Sequence, residues 1–98
     1  MEIIKIKSFL ISDDKKLIID TSLIEFVECI KCDNGFSNIA IKIKDNEERK
    51  IIYTAGASDE FFRKMQIKIF YYLKKNKNID MSELAYNILE DLEKWKVL

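Results

Sequence analysis

Proline and histidine are absent from these 98 residues, and glycine occurs only twice, at Gly35 and Gly56. Without proline there is no rigid polyproline spacer. With two glycines there is no flexible linker and no Gly-rich loop to cradle a phosphate. Connections between elements should therefore be short. The missing histidine removes the side chain that titrates nearest neutrality. Two cysteines, Cys29 and Cys32, cannot complete a tetrahedral zinc site by themselves. No apolar run approaches the roughly 20 residues of a membrane-spanning helix. The first residues, MEIIKIKSFLIS, carry Lys5 and Lys7 inside the apolar stretch and no small-residue cleavage site. They read as a strand and not a signal peptide, which makes the cytoplasm the expected compartment.

What is present is a globular composition. Apolar residues are 48% and charged residues 35% of the chain, too apolar for a disordered segment. A chain of this length buries roughly 60–70% of its unfolded surface, enough for one core without staples. One domain over residues 1–98 is expected, with a sheet in 1–55 and two helices in 57–96. The abundance of Ile, Lys, Asn and Glu suggests an AT-rich coding sequence, as in low-GC bacteria and their phages.

Seventeen bases balance seventeen acids, so the chain is not a general polyanion coat. The charges are nevertheless segregated. Between Phe61 and Ile79 stand Arg63, Lys64, Lys68, Lys74, Lys75 and Lys77, with no acid. Between Asp80 and Glu93 stand Asp80, Glu83, Glu90, Asp91 and Glu93, with no base. This polarity between successive segments is the most unusual feature of the sequence.

The first half has the period and turn residues of strands. Residues 3–11 (IIKIKSFLI) form the first, Lys16 to Asp20 the second and Leu23 to Lys31 the third. Ser12, Asp13 and Asp14 make a turn between the first two, and Thr21 and Ser22 break the second. Asp33-Asn34-Gly35 predicts a type I′ hairpin turn. Phe36 to Lys44 alternates, with Ile39, Ile41 and Ile43 on one face and Ala40, Lys42 and Lys44 on the other. Asp45 to Glu48 is a polar loop before the last strand, Arg49 to Thr54. Loops this short make neighbouring strands antiparallel, so the expected fold is α+β: a five-stranded antiparallel meander followed by two C-terminal helices.

The second half changes to helical period. Ser58 before Asp59 and Glu60 is a helix start. Phe62, Met65, Ile69, Tyr72 and Leu73 share one stripe, and Asn76-Lys77-Asn78 ends it. Asp80 and Glu83 predict a capping box for a second helix. There Met81, Leu84, Ala85, Ile88, Leu92 and Trp95 recur at helical spacing.

The candidate chemistry is sparse. The Cys29-x-x-Cys32 pair falls at the end of a strand, where positions three apart face opposite ways. It reads as structural, and no metal, cofactor or catalytic residue is expected. The serines at 8, 12, 22, 37, 58 and 82 read as turn, cap or strand residues, and the acids at Asp13-Asp14 and Asp45 to Glu48 as solvated hairpin tips. Two surfaces remain. The first helix carries Lys64, Lys68 and Lys75 beside Ile67 and Tyr71, a small nucleic-acid footprint. The second carries Glu83, Tyr86, Glu90, Asp91, Glu93 and Trp95, an acidic and apolar face suited to docking in a partner's groove. The same helix could join two copies in a homodimer.

From Lys16 to Leu73 the order KLIID, SLIEFVE, an Asn-Gly turn, IAIKIK, IIYT and a helix opened by Ser-Asp-Glu resembles small phage and bacterial proteins built as a meander closed by a helix, and pleckstrin-homology-like modules. The resemblance implies a non-catalytic scaffold that binds through its sheet edge, loops or helix. Among such proteins, inhibitors of host defence of the anti-CRISPR type are a natural class. The resemblance carries no site residue onto this chain. The expectation is a non-enzymatic interaction protein that occludes or regulates a protein or nucleoprotein partner, with nucleic-acid binding by the first helix as the alternative and no role at a membrane.

Overall fold

Asp20 ends a strand by bonding forward along the chain. Its carboxylate accepts from the Ser22 N–H at 2.9 Å and the Ser22 hydroxyl at 2.8 Å. These bonds hold Thr21–Leu23 in a 3-10 turn, a local alternative to continuing the strand ladder. The turn separates two sheets in the computed structural model, which describes residues 7–96, and side chains as far as residue 94.

The first sheet contains β1 (Phe9–Ile11), β2 (Ile18–Asp20) and β6 (Ile79–Asp80), in the order β2-β1-β6. β1 and β2 pair antiparallel through Leu10 and Ile19, while β1 and β6 pair parallel through Leu10 and Ile79. The second sheet is a plain antiparallel meander of β3 (Ile24–Lys31), β4 (Ser37–Ile43) and β5 (Arg49–Ala55). The α+β class therefore stands, but the five expected strands do not form one meander. The 3-10 turn diverts the chain after β2, and β1 takes as its other neighbour a two-residue strand from between the helices. The part of the first expected strand that precedes residue 7 lies outside the described residues.

The hairpin between β3 and β4 also differs in kind. Lys31 pairs with Ser37, and the Cys32 N–H donates to the Phe36 carbonyl at 2.8 Å. The Gly35 N–H donates back to the Cys32 carbonyl at 3.3 Å, and Gly35 alone in this turn has positive φ, at 85°. This is a three-residue loop, a turn followed by a left-handed glycine, and not a two-residue type I′ turn.

The helices begin and end where their chemistry dictates. The Ser58 hydroxyl accepts from the Phe61 N–H at 3.2 Å and opens α1 (Asp59–Lys74). Asn76 adopts a left-handed φ of 54°, and the Lys77 N–H closes on the Tyr72 carbonyl at 3.0 Å. The helix thus stops in a Schellman-type cap, with Asn in place of the usual Gly. Asp80 starts α2 (Met81–Lys96) by accepting from the Ser82 N–H at 3.0 Å. Among the described residues Glu83 makes no return bond, so the expected capping box is half made.

Both helices and both sheets share one core. Leu10, Ile39, Ile41, Phe61, Met65, Ile69 and Met81 are fully buried in it, together with Ile52, Ile79 and Ile88. The ladder between β4 and β5 shifts register after Ile39, leaving Ile52 as an extra residue. Such a bulge re-aims a side chain, and Ile52 is buried. Tyr72 and Leu73 on α1, and Leu92 on α2, pack partly against the same cluster. The buried stripe of α2 thus packs on its own chain.

Candidate interaction surfaces on the two helices

An amphipathic helix has one apolar stripe to bury, and the remainder should be polar. Each helix here carries a second apolar row on its outer side. On α1, Ile67, Phe70 and Tyr71 are 60%, 51% and 49% exposed. Their spacing of three and four residues sets them side by side, opposite the stripe of Phe62, Met65 and Ile69. On α2, Tyr86 and Leu89 are 62% and 46% exposed, opposite Met81, Leu84, Ala85 and Ile88. Single exposed apolar side chains are ordinary, but rows of them are not.

One sign of charge predominates beside each row, although exposed Glu60 lies two turns before Ile67 on the same side of α1 and exposed Lys94 two turns after Tyr86 on α2. Around Ile67 and Tyr71 stand Arg63, Lys68, Lys74 and Lys75, all exposed, and the half-buried Lys64. The Lys75 ammonium lies 5.9 Å from the Tyr71 ring centroid, within cation–π range. Around Tyr86 and Leu89 stand Glu83, Glu90 and Glu93, all exposed, while Asp91, also exposed, lies on the far side of the helix from that row. Glu90 beside the Tyr86 hydroxyl favours its protonated form and raises its pKa above the usual tyrosine value. The structure thus brings Lys64, Lys68, Tyr71 and Lys75 together on α1. It brings Glu83, Tyr86, Glu90, Asp91 and Glu93 to the solvent side of α2. Trp95 lies in α2, with its side chain outside the described residues.

The sheet charges are spent differently. On the outer side of the second sheet Arg49 Nε donates to Glu28 Oε1 at 2.6 Å while its guanidinium covers the Phe26 ring at 4.8 Å. Lys42 Nζ pairs with Glu25 at 2.6 Å, and Lys50 with Glu48 at 3.2 Å. Elsewhere Lys31 pairs with Asp59, and Lys15 with Asp80. Among the described residues, no ion pair uses a base between Arg63 and Lys77 or an acid between Glu83 and Glu93. Most charges of the sheets are paired within the chain, and among the described residues those of the two helical faces are not.

The remaining polar groups hold the fold. Asp14 is drawn below the usual carboxylate range, first by the Ser12 hydroxyl and then by the Lys16 N–H. Asp20 is drawn down by the Ser22 N–H and hydroxyl. Asp80 is drawn down by Lys15, then by the first N–H groups of α2. Each carboxylate is kept ionised by a structural bond, the reverse of what a proton donor needs. Ser8 and Thr21 share a buried hydroxyl–hydroxyl bond. Burial lifts the Cys29 thiol above its ordinary pKa. Cys32 lies beyond the strand in the hairpin, and its Sγ accepts from Asn38 Nδ2 at 3.5 Å. Both thiols are free, and no group of three or more Cys, Asp or Glu able to hold a metal occurs among the described residues.

Two shallow depressions open to solvent. Tyr72, Asn78, Asp80, Glu83, Leu84 and Asn87 line one where the helices meet. Asp13, Asp14 and Ile51 to Thr54 line another. Among the described residues no helix is long and apolar enough to cross a membrane.

Sequence reasoning found the bases and acids but missed Phe70 as a surface residue. The signal was there: Ile67, Phe70, Tyr71 and Lys74 repeat at i, i+3, i+4 and i+7, a second stripe opposite the first. Compared with protein-family models, with curated proteins and with solved structures, the chain matches none of them.

Proposed function

We propose that this chain is a non-enzymatic interaction protein that docks the outer face of α2 on a basic surface of a macromolecular partner and so occludes or regulates it. The observation that carries this reading is the set of exposed acids Glu83, Glu90 and Glu93 around Tyr86 and Leu89, with exposed Asp91 on the same helix, none in an ion pair among the described residues. Unpaired like charges steer a complementary partner and set the on-rate, and the apolar pair supplies contact area. A partner surface that ordinarily holds nucleic acid has the required sign. Small inhibitors from phages and mobile elements, the anti-CRISPR type among them, work in this manner, in keeping with a cytoplasmic setting.

Tagged protein should retain a host protein from lysate at low salt, lose it at high salt and keep it after nuclease treatment. Reversing Glu83, Glu90, Asp91 and Glu93 to Lys should abolish that capture. Capture unchanged by the reversal overturns the reading.

A second reading places nucleic acid on α1, favoured by Lys68 and Lys75, which make no ion pair among the described residues, and by the exposed Tyr71 ring. It expects a salt-sensitive gel shift that disappears when Lys64, Lys68 and Lys75 become Ala. No shift at low salt overturns it.

A further inference from the structure

We infer that the outer faces of α1 and α2 are made for each other in a second copy of this chain, with α1 of one protomer lying against α2 of its partner. Three observations meet here. Each helix, of sixteen residues, carries an apolar row on its solvent side, Ile67, Phe70 and Tyr71 on one and Tyr86 and Leu89 on the other. Bases predominate beside the first row and acids beside the second, Glu60 and Lys94 excepted. And the framing charges are unpaired among the described residues, although the chain as a whole is neutral.

Neutrality within one chain does not bring these charges together. Both buried stripes point into one shared core, so both outer rows point away from it and cannot face each other. A second copy removes the obstacle. Its α2 presents acids to the bases of α1, and its apolar row covers Ile67, Phe70 and Tyr71. Because α1 and α2 are packed neighbours, a two-fold axis makes the same contact twice, α1 on the partner's α2 and the reverse. That is a closed, isologous dimer and not an open chain.

A second copy fits better than a polyanion. A nucleic acid on α1 would run beside the acids of α2 and be repelled by them. The inference rests on the outer face of α2 being a binding face, as the proposed function has it. The self-contact would then mask that face until a basic partner displaces it.

The test is sedimentation of the full chain across micromolar to millimolar concentration, at low and high salt. A dimer that dissociates as salt rises is expected. Lys68→Glu with Lys75→Glu should raise the dimer dissociation constant at least about tenfold, and so should Glu90→Lys with Glu93→Lys; tenfold is about 1.4 kcal/mol. Mixing the two reversed proteins should restore a dimer, since every face then meets its opposite. Phe70→Ser, which alters no charge, should also weaken it, and circular dichroism checks that each variant is folded. A monomer at every concentration in low salt overturns the inference, as do open-ended oligomers, a dimer indifferent to both reversals, or a mixture that stays monomeric. The readout is mass, so it stands apart from partner capture: a reversible dimer with no capture would sink the proposed function alone, and capture by a strict monomer would sink this inference alone.

Discussion

Lys15 Nζ lies 2.7 Å from Asp80 Oδ1, joining the tip of the first hairpin to the first residue before α2. Asp13 adds to the same junction, its carbonyl and carboxylate accepting from the Ser82 hydroxyl at 3.2 and 3.0 Å. Lys15 reaches this position with a φ of 64°, after its N–H has closed on the Ser12 carbonyl at 3.0 Å. Asp80 therefore serves as strand residue, helix cap and tie between the two ends of the chain.

Removing that carboxylate should cost stability and acid sensitivity together. Asp80→Ala is expected to lower unfolding free energy by about 1–2 kcal/mol, mostly for the lost cap. Because Asp80 is drawn below the usual carboxylate range, its contribution is full above the unfolded carboxyl pKa and disappears as pH falls through the folded one. The wild-type chain should lose this increment only below about pH 4, and Asp80→Asn should lack that part of the acid slope. Urea denaturation between pH 3 and 7, in steps of roughly one unit, reads both.

The two stripes of α1 should respond oppositely to truncation. Met65→Ala or Ile69→Ala removes a fully buried side chain and should cost about 2–5 kcal/mol. Ile67→Ala, on the outer row, should change monomer stability by less than about 0.5 kcal/mol. Chemical denaturation at dilute concentration measures the difference.

At Gly35 the left-handed backbone is the constraint and space is not. An added Cβ would meet nothing within 4 Å, yet φ is 85°. Gly35→Ala should cost about 1–2 kcal/mol for backbone strain alone. At Gly56 a Cβ would touch the Phe36 ring at 3.5 Å, an ordinary contact. Gly56→Ala should be close to neutral. Thermal unfolding of the two variants side by side checks the contrast.

The thiol of Cys29 should be sluggish. Burial against the core raises its pKa above the ordinary thiol value, so less thiolate is present at neutral pH. In a Cys32→Ala background, alkylation of Cys29 should rise with pH only beyond the range where a free thiol reacts, and unfolding the protein should remove the lag. Mass spectrometry of timed alkylation reads the rate.

Local chemistry was legible because it is written in contiguous residues. Ser58 before two acids, and Asn76 after a basic turn, mark the ends of α1 by bonds that reach only three to five residues. The stripes of Phe62, Met65 and Ile69, and of Met81, Leu84 and Ile88, follow from helical period. The hairpin at Asn34-Gly35 was legible as a place but not as a type. Glycine's left-handed freedom suits either loop, and the pairing of Lys31 with Ser37 selects the longer one.

The sequence by itself determined the α+β class, the two helices of its second half, and the separation of basic from acidic helix. Period, caps and charge are all short-range properties. Tertiary structure alone decided the division into two sheets, because β6 is two residues long and shows no period. It exists through parallel pairing with β1, whose Leu10 stands 69 residues before its partner Ile79. It also decided which helical residues face out. Each helix offers two apolar rows, and only the shape of the shared core determines which is buried and which is left to meet another molecule.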